Sequence, residues 1–178
     1  MADHAAQQRF EQALLPHLDA AYNLARWLTR NPQDAEDVVQ EAYLRALKFF
    51  HSFRGGDGRR WLLAIVRNTC HDWMHARGAE RTTPFDEQIH AREAAETPET
   101  LLLQRADQDT VRRALEALPV VWREVLILRE LEGMSYKEIG EVLDIPVGTV
   151  MSRLARARAR LQRQLADHPT GQESRHEL

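Results

Sequence analysis

The stretch Ser135-Tyr136-Lys137-Glu138-Ile139-Gly140-Glu141-Val142-Leu143-Asp144-Ile145-Pro146-Val147-Gly148-Thr149-Val150-Met151-Ser152-Arg153-Leu154 decides the fold. Ser135 and Glu138 have the spacing of a capping box, the serine covering the N3 amide while the glutamate reaches back. Such a cap contributes about 1 kcal/mol, enough to set where the helix starts. Tyr136, Ile139 and Leu143 then share one face. Gly140 costs about 1 kcal/mol against alanine inside a helix, a cost that a close helix crossing would explain. Asp144-Ile145-Pro146 is a tight connection into a second helix, and two helices so joined cross steeply, as in a helix-turn-helix.

The second helix of that pair runs on to Ala166. At 100° per residue, Val150, Leu154, Ala157, Leu161 and Leu165 line up inward, and Ser152, Arg156, Arg160 and Arg163 line up opposite, with Thr149 and Arg153 flanking. Between Ile145 and Ala166 stand five arginines and no acidic residue. A solvated helix gains from interleaving both signs at i,i+4, and this one forgoes that gain. A one-signed basic face attracts phosphates and can reach base edges in the major groove. The competing reading is an amphipathic helix that is merely arginine-rich.

Upstream, further helices are expected at Gln108–Ala117 and Val120–Leu131, beside Ser135–Leu143 and Val147–Ala166. Before them, residues 82–99 change character. Pro84 and Pro98 bracket Asp86, Glu87, Glu93, Glu96 and Glu99, with Arg92 the sole counter-charge. So polar a segment buries too little apolar surface to offset its ordering entropy, and reads as a flexible linker. The polar tail 168–178 reads as frayed.

A second helical block precedes the linker. Phe10, Leu14, Leu18, Ala21, Ala25 and Leu28 recur as one face of one helix, stopped at Asn31-Pro32 because proline pushes its predecessor out of the helical region. Gln33–Phe50 follows, with Val38, Ala42, Ala46 and Phe50 inward. After the loop His51–Gly58, a helix at Arg59–Arg77 buries Leu62, Ile65, Val66, Thr69 and Trp73. The expected architecture is all-α: two small helical domains, 1–80 and 107–167, joined by an acidic linker at 81–106.

Composition limits the functions open to such a chain. Across 178 residues, Lys and Arg number 24 against 27 Asp and Glu, a formal net charge of −3, so no uniformly basic coat exists and any basic face is local. Cys70 stands alone, excluding an internal disulfide and a cysteine-only zinc site. The polar N-terminus and the lack of a long apolar run imply a soluble, intracellular protein with no membrane insertion. His71 and His75 lie at i,i+4, but Cys70 and Asp72 point away from that stripe and no metal is expected. No nucleophile elbow, phosphate loop or HExxH spacing occurs, so neither catalysis nor a cofactor is expected.

Two surfaces of the first block remain. Asp34, Asp37 and Glu41, at i, i+3 and i+7, favour the helix dipole; with Glu36 and Gln40 they also form a polar face able to dock protein. Arg67, His71 and His75 form a stripe with Asn68 beside it, after the arginines 54, 59 and 60 and next to Trp61, a combination suited to unstacked bases. A free-standing helix-turn-helix repressor or activator, or an adaptor that binds only protein, would also fit these features.

Taken in order, the motifs resemble the extracytoplasmic-function (ECF) group of bacterial RNA polymerase sigma factors, over about Phe10–Leu165. Asp34-Ala35-Glu36-Asp37-Val38-Val39-Gln40-Glu41 is similar to the family's core-polymerase-binding motif. Trp61-Leu62, Ile65 and Arg67-Asn68 are similar to its stretch that reads the promoter −10 element. Leu118-Pro119, Arg123-Glu124-Val125, Ser135–Gly140 and Gly148–Leu154 resemble its −35-reading domain. The resemblance implies a sigma region 2 domain, a sigma region 4 domain and a linker passing through the polymerase. It implies polymerase contacts at Asp34, Asp37, Gln40 and Glu41, and −10 contacts at Arg60, Trp61, Arg67, Asn68 and His71. Asn68 would take a flipped base, with the loop Phe53–Arg60 as the pocket wall; unstacking a base costs a few kcal/mol. For the −35 element it implies Lys137, Thr149, Ser152, Arg153, Arg156 and Arg160, with base-facing positions at Met151, Ser152, Ala155 and Arg156. It further implies a cytoplasmic protein whose partners are core RNA polymerase, promoter DNA and an anti-sigma factor, with the chemistry left to the polymerase.

Overall fold

A computed structural model describes residues 2–78 and 108–167. The linker and tail expectations, and the apolar run Leu101–Leu103, lie outside those residues. Among the described residues all regular structure is helical: α1 (Ala2–Leu14), α2 (Leu18–Thr29), α3 (Pro32–Phe49) and α4 (Gly58–Ala76), then α5 (Gln108–Glu116), α6 (Val120–Leu126), α7 (Tyr136–Leu143) and α8 (Val147–Ala166).

Local chemistry sets most of these boundaries. The single helix expected from Phe10 to Leu28 is two. Pro16 lies in a 3-10 turn, Leu15–His17, that separates α1 from α2; its missing N–H cannot continue an α-helical ladder. Arg30, in the left-handed region at φ 60, ends α2. The Asn31 side chain then caps α3, its Oδ1 accepting from the amides of Gln33 (2.8 Å) and Asp34 (3.1 Å). Asp57 caps α4 by accepting from the Arg60 amide. Gly58 at the head of α4 passes so close to α1 that an added Cβ would lie 2.4 Å from the Ala13 carbonyl oxygen.

In the first domain α2, α3 and α4 pack on one another with α1 against α4, around Leu14, Leu24, Leu28, Leu62 and Leu63. Ile65, Trp73 and Phe50, expected inward, are half-buried, and Leu63, Cys70 and Met74 take core places instead. In the second domain α5, α6 and α7 pack on α8. Its inward stripe is as expected: Val150, Leu154, Ala157, Leu161 and Leu165 are all buried. The expected straight helix Val120–Leu131 loosens after Leu126 into a π turn, Ile127–Leu131, where the Glu132 amide donates five residues back to Ile127.

The capping box forms as read: the Glu138 amide donates to Ser135 Oγ (3.2 Å) and the Ser135 amide to Glu138 Oε2 (2.8 Å). Gly140 has a different reason from the one expected. The obstacle to a side chain there is not a crossing helix but the turn's own backbone: an added Cβ would stand 2.9 Å from the Ile145 carbonyl oxygen. The turn closes over the helix end, with Asp144 left-handed at φ 54 and the Ile145 amide donating to the Gly140 carbonyl.

The two domains touch. Helix α4 packs on α7, and α2 on α6. Arg123, 4% exposed, crosses this boundary: its guanidinium donates to the carbonyls of Trp27 (3.0 Å) and Leu28 (3.3 Å) at the end of α2, and to those of Leu115, Glu116 and Leu118 in its own domain.

Candidate polymerase and nucleic-acid interfaces

Helix α3 carries the acidic face. Asp37 and Gln40 are exposed and Glu36 lies beside them. Asp34 accepts from Arg77 Nη1 at 3.0 Å, and Glu41 from Arg45 Nε at 3.0 Å; the same Arg45 also bridges to Asp72. These exposed pairs contribute little stability, but they hold Asp34 and Glu41 in place at either end of the face. The stripe continues into Leu44 and Leu47, which are 64% and 55% exposed. Two large apolar side chains thus stand in water next to the carboxylates of this face. The motif reading missed these two leucines, although the signal was present: at 100° per residue Leu44 falls opposite the buried Val38–Ala42–Ala46 stripe and in line with Asp37 and Glu41.

Helix α4 carries the second surface, and its residues divide. Asn68 is exposed, its side-chain oxygen accepting from Arg67 Nη1 at 3.3 Å. Trp61 is half-buried in an aromatic cluster, with ring centroids 5.1 Å from Phe53 and 6.2 Å from Phe50; Phe53 in turn stacks on Phe50 at 5.5 Å. The loop before α4 is thus walled by aromatic rings. Arg60 pairs with Asp57 (3.0 Å) and with Glu141 of α7. Arg67 and His71 turn toward the other domain, onto Glu124.

Glu124 is the residue that sequence reasoning left without a role. It is fully buried in α6 and accepts two bonds from Arg67 (Nε 3.0 Å, Nη2 3.1 Å) and one contact from His71 Nε2 (2.9 Å), with Arg153 Nη1 3.8 Å away. Burial pushes its carboxyl up, but the hydrogen bonds from His71 and Arg67 and their positive charge outweigh that and hold it below the usual carboxylate range. Nothing in helical periodicity reports a partner 57 positions away. Neighbouring Cys70 is buried, and burial with the Glu124 charge pushes its thiol up to about 12.

Helix α8 carries the third surface. Arg160 is exposed, as are Met151 and Lys137 of α7, while Arg156 and Thr149 are half-buried. Ser152 Oγ donates to the Thr149 carbonyl at 3.1 Å. Arg158 is held by Glu130 at 2.8 Å. Arg153, expected to flank the basic face, has a side chain only 12% exposed beside Glu124. The basic stripe therefore contains one arginine turned inward, and Arg156 and Arg160 carry its outer side.

Family models match the chain in both domains: Sigma-70 region 2 over residues 14–81, and Sigma-70, region 4 over 108–161. Among similar proteins, an ECF RNA polymerase sigma-E factor of Haemophilus influenzae is 36% identical over 152 residues, covering 80% of this chain and 79% of its own length. The chain belongs to the ECF group of the sigma-70 family. The ECF sigma-E factor of Escherichia coli strain K12 is 38% identical over 70% of each chain. A longer relative, the ECF sigma factor SigE of Mycolicibacterium smegmatis, is 33% identical over 93% of this chain, which spans 65% of that protein. The solved structure of the sigma factor RpoE bound to the anti-sigma factor NepR, from Bartonella quintana, superposes with a TM-score of 0.69 at 31% identity, over 89% of this chain and 98% of that one. That of CnrH with the cytosolic domain of CnrY gives 0.62 at 29% identity, over 94% and 96%. A sigma factor is not an enzyme: it directs promoter-specific initiation by the polymerase. Family membership decides against the free-standing repressor and the adaptor. Among the described residues no helix is long and apolar enough to cross a membrane.

Proposed function

We propose that this chain joins core RNA polymerase through the outer face of α3 and reads a two-part promoter in the cytoplasm, α4 at the −10 element and α7–α8 at the −35 element. The observation that carries the reading is the pairing, in one chain, of an exposed acidic and apolar stripe on α3 with a capped helix-turn-helix whose last helix bears outward arginines. Asp37, Gln40, Glu41 and Leu44 make the polymerase contact, flanked by Asp34. Trp61 and Asn68 hold an unstacked −10 base, with Arg60, Arg67 and His71 on the backbone and base edges. Lys137, Thr149, Ser152, Arg153, Arg156 and Arg160 serve the −35 duplex, Ser152 and Arg156 at base edges and the rest at phosphates. The solved relative RpoE is bound to an anti-sigma factor, NepR; an anti-sigma factor is accordingly the regulatory partner of this chain.

The test is transcription in vitro with core polymerase on genomic DNA, start sites being mapped by sequencing the transcripts. New starts preceded by a shared two-part motif are expected. Asp37→Arg with Glu41→Arg should abolish them while leaving the helical circular dichroism of the full chain unchanged. Polymerase that ignores the wild-type chain would overturn the reading.

A further inference from the structure

Helix α8 opens without the side chains that usually read a base edge by hydrogen bonds. Its first eight residues, Val147–Leu154, contain no lysine, asparagine or glutamine, and their one arginine, Arg153, has a side chain 12% exposed beside Glu124. Thr149 and Ser152 are half-buried, and Ser152 Oγ donates its proton to the Thr149 carbonyl at 3.1 Å. The side chains that stand out from these two turns are apolar: Val147 and Met151, each 42% exposed. At i and i+4 they are neighbours on the helix surface. Gly148, next to Val147, has open space where a side chain would stand. Arginines come into reach of solvent only from the third turn, at half-buried Arg156 and exposed Arg160.

We infer that the start of α8 reads thymine by its 5-methyl group, Val147 and Met151 closing on the methyl edge of one or two successive A·T pairs in the −35 element. The inference rests on the proposed role of α7–α8 at that element. In a helix-turn-helix the N-terminal residues of the second helix meet base edges in the major groove. There guanine is taken by a bidentate arginine or lysine and adenine by asparagine or glutamine, while thymine alone presents a methyl group. With no such polar group exposed over the first two turns, the methyl is the base-edge feature that this surface matches. Reach limits the count. Base pairs stack about 3.4 Å apart, so two side chains about 5–6 Å apart cover no more than two of them. Charge selects the occupant: from Ile145 to Ala166 the chain carries five arginines and no carboxylate, which favours a polyanion over an apolar protein segment at this helix. Readout at the start of α8 is thus apolar, and the arginines beyond it anchor the duplex.

The test uses holoenzyme, core polymerase with the full chain, on labelled duplexes carrying promoters taken from the mapped start sites. Each thymine of the −35 element, on either strand, is replaced in turn by deoxyuridine, which keeps both Watson–Crick hydrogen bonds and the O4 acceptor and lacks only the methyl. Fluorescence anisotropy reads binding. At one or two positions the replacement should weaken binding about fourfold, the effect of withholding one buried methyl group. Deoxyuridine in the spacer between the two elements should change nothing. Met151→Ala should bind the thymine duplex more weakly and lose the dependence on that methyl. Met151→Arg should move the preferred base at the same position to guanine, the partner of a guanidinium. Both variants alter an exposed side chain, and both should co-elute with core polymerase as the parent does. A −35 element in which no methyl matters overturns the inference, and so does a methyl effect as large in Met151→Ala as in the parent. Lost co-elution with the methyl effect intact makes the apolar pair a protein contact and overturns it as well. Holoenzyme that selects no promoter overturns the proposed function itself, a result distinct from promoters selected without regard to the methyl.

Discussion

Two faces of the same domain, the outer side of α3 and the side of α4 turned toward α7, carry similar numbers of charged groups and treat them in opposite ways. On α3 the carboxylates Asp34 and Glu41 hold exposed partners, Asp37 and Gln40 stand in water, and Leu44 and Leu47 are left uncovered. On α4 the arginines 59, 60 and 67 are half-buried, and each meets a carboxylate of the second domain. The first arrangement leaves its groups hydrated and within reach, and suits a partner that arrives from outside with its own opposite charges. The second is already paired, and buried at Glu124, so any external partner must displace an internal one. Surface ion pairs contribute about 0–1 kcal/mol, whereas breaking a buried pair costs about 3–5 kcal/mol because a charge is left uncompensated.

The largest effect is expected at Arg123. Alanine there removes the guanidinium from five carbonyls, two of them on α2 across the domain boundary. Loss of charged hydrogen bonds from buried acceptors should lower stability by about 3 kcal/mol or more. Urea unfolding should also split into two transitions, since the two domains would no longer share this side chain. Lysine should not rescue it, because a single ammonium cannot span acceptors spread around a planar fork. A single, unshifted transition for Arg123→Ala would show that the boundary contact contributes nothing.

Next comes acid. Glu124 has its carboxyl held below the ordinary range by His71 and Arg67, with Arg153 also facing it. A depressed carboxyl contributes stability that is present above its unfolded value of about 4.3 and is lost as pH falls through the folded value. Thermal midpoints should therefore fall more steeply below about pH 4 in the parent than in Glu124→Gln, which itself should be less stable at neutral pH by about 3 kcal/mol. Parallel pH profiles would mean that this carboxyl is not tied to its cations in solution.

The α3 face predicts the reverse pattern. Leu44→Asp should change folding stability by no more than about 0.5 kcal/mol, as an exposed site does, and yet weaken polymerase binding about tenfold or more, the signature of a buried apolar anchor at an interface. Co-elution with core polymerase and a urea melt on the same sample separate the two. Equal loss in both would make Leu44 a structural residue instead.

How much of this was legible beforehand follows the range of the interaction. Elements whose causes lie within four residues were read directly: the Ser135–Glu138 box, the turn at Asp144–Pro146, the buried stripe of α8, and the start of α3 beside Asn31-Pro32. The break at Pro16 was missed because the apolar stripe carries on through it from Leu14 to Ala21, and periodicity outvoted the proline. The π turn after Leu126 leaves no mark on a hydrophobic pattern. The candidate site divides in the same way. The acidic and arginine stripes are helical patterns and were visible, but the inward turn of Arg67, His71 and Arg153 depends on Glu124, a charged residue whose helical neighbours three and four positions away, Val120, Val121, Ile127 and Leu128, are all apolar. That anomaly is the one local clue, since a carboxylate on a core position requires a buried cation.

The smallest effect sharpens the same contrast on a single helix. Arg153 and Arg160 both belong to α8, one covered against Glu124 and the other exposed. A lysine or arginine that only neutralises a phosphate contributes about one unit to the salt dependence of DNA binding and little to sequence preference. Arg160→Ala should therefore flatten the slope of log affinity against log salt by about 1 and weaken binding evenly across sequences. It should do so on promoter and mixed-sequence duplexes alike, because its side chain is exposed on the outer side of α8. A change confined to one promoter sequence would move Arg160 from the phosphates to a base edge; no change at all would turn the outer stripe of α8 away from DNA.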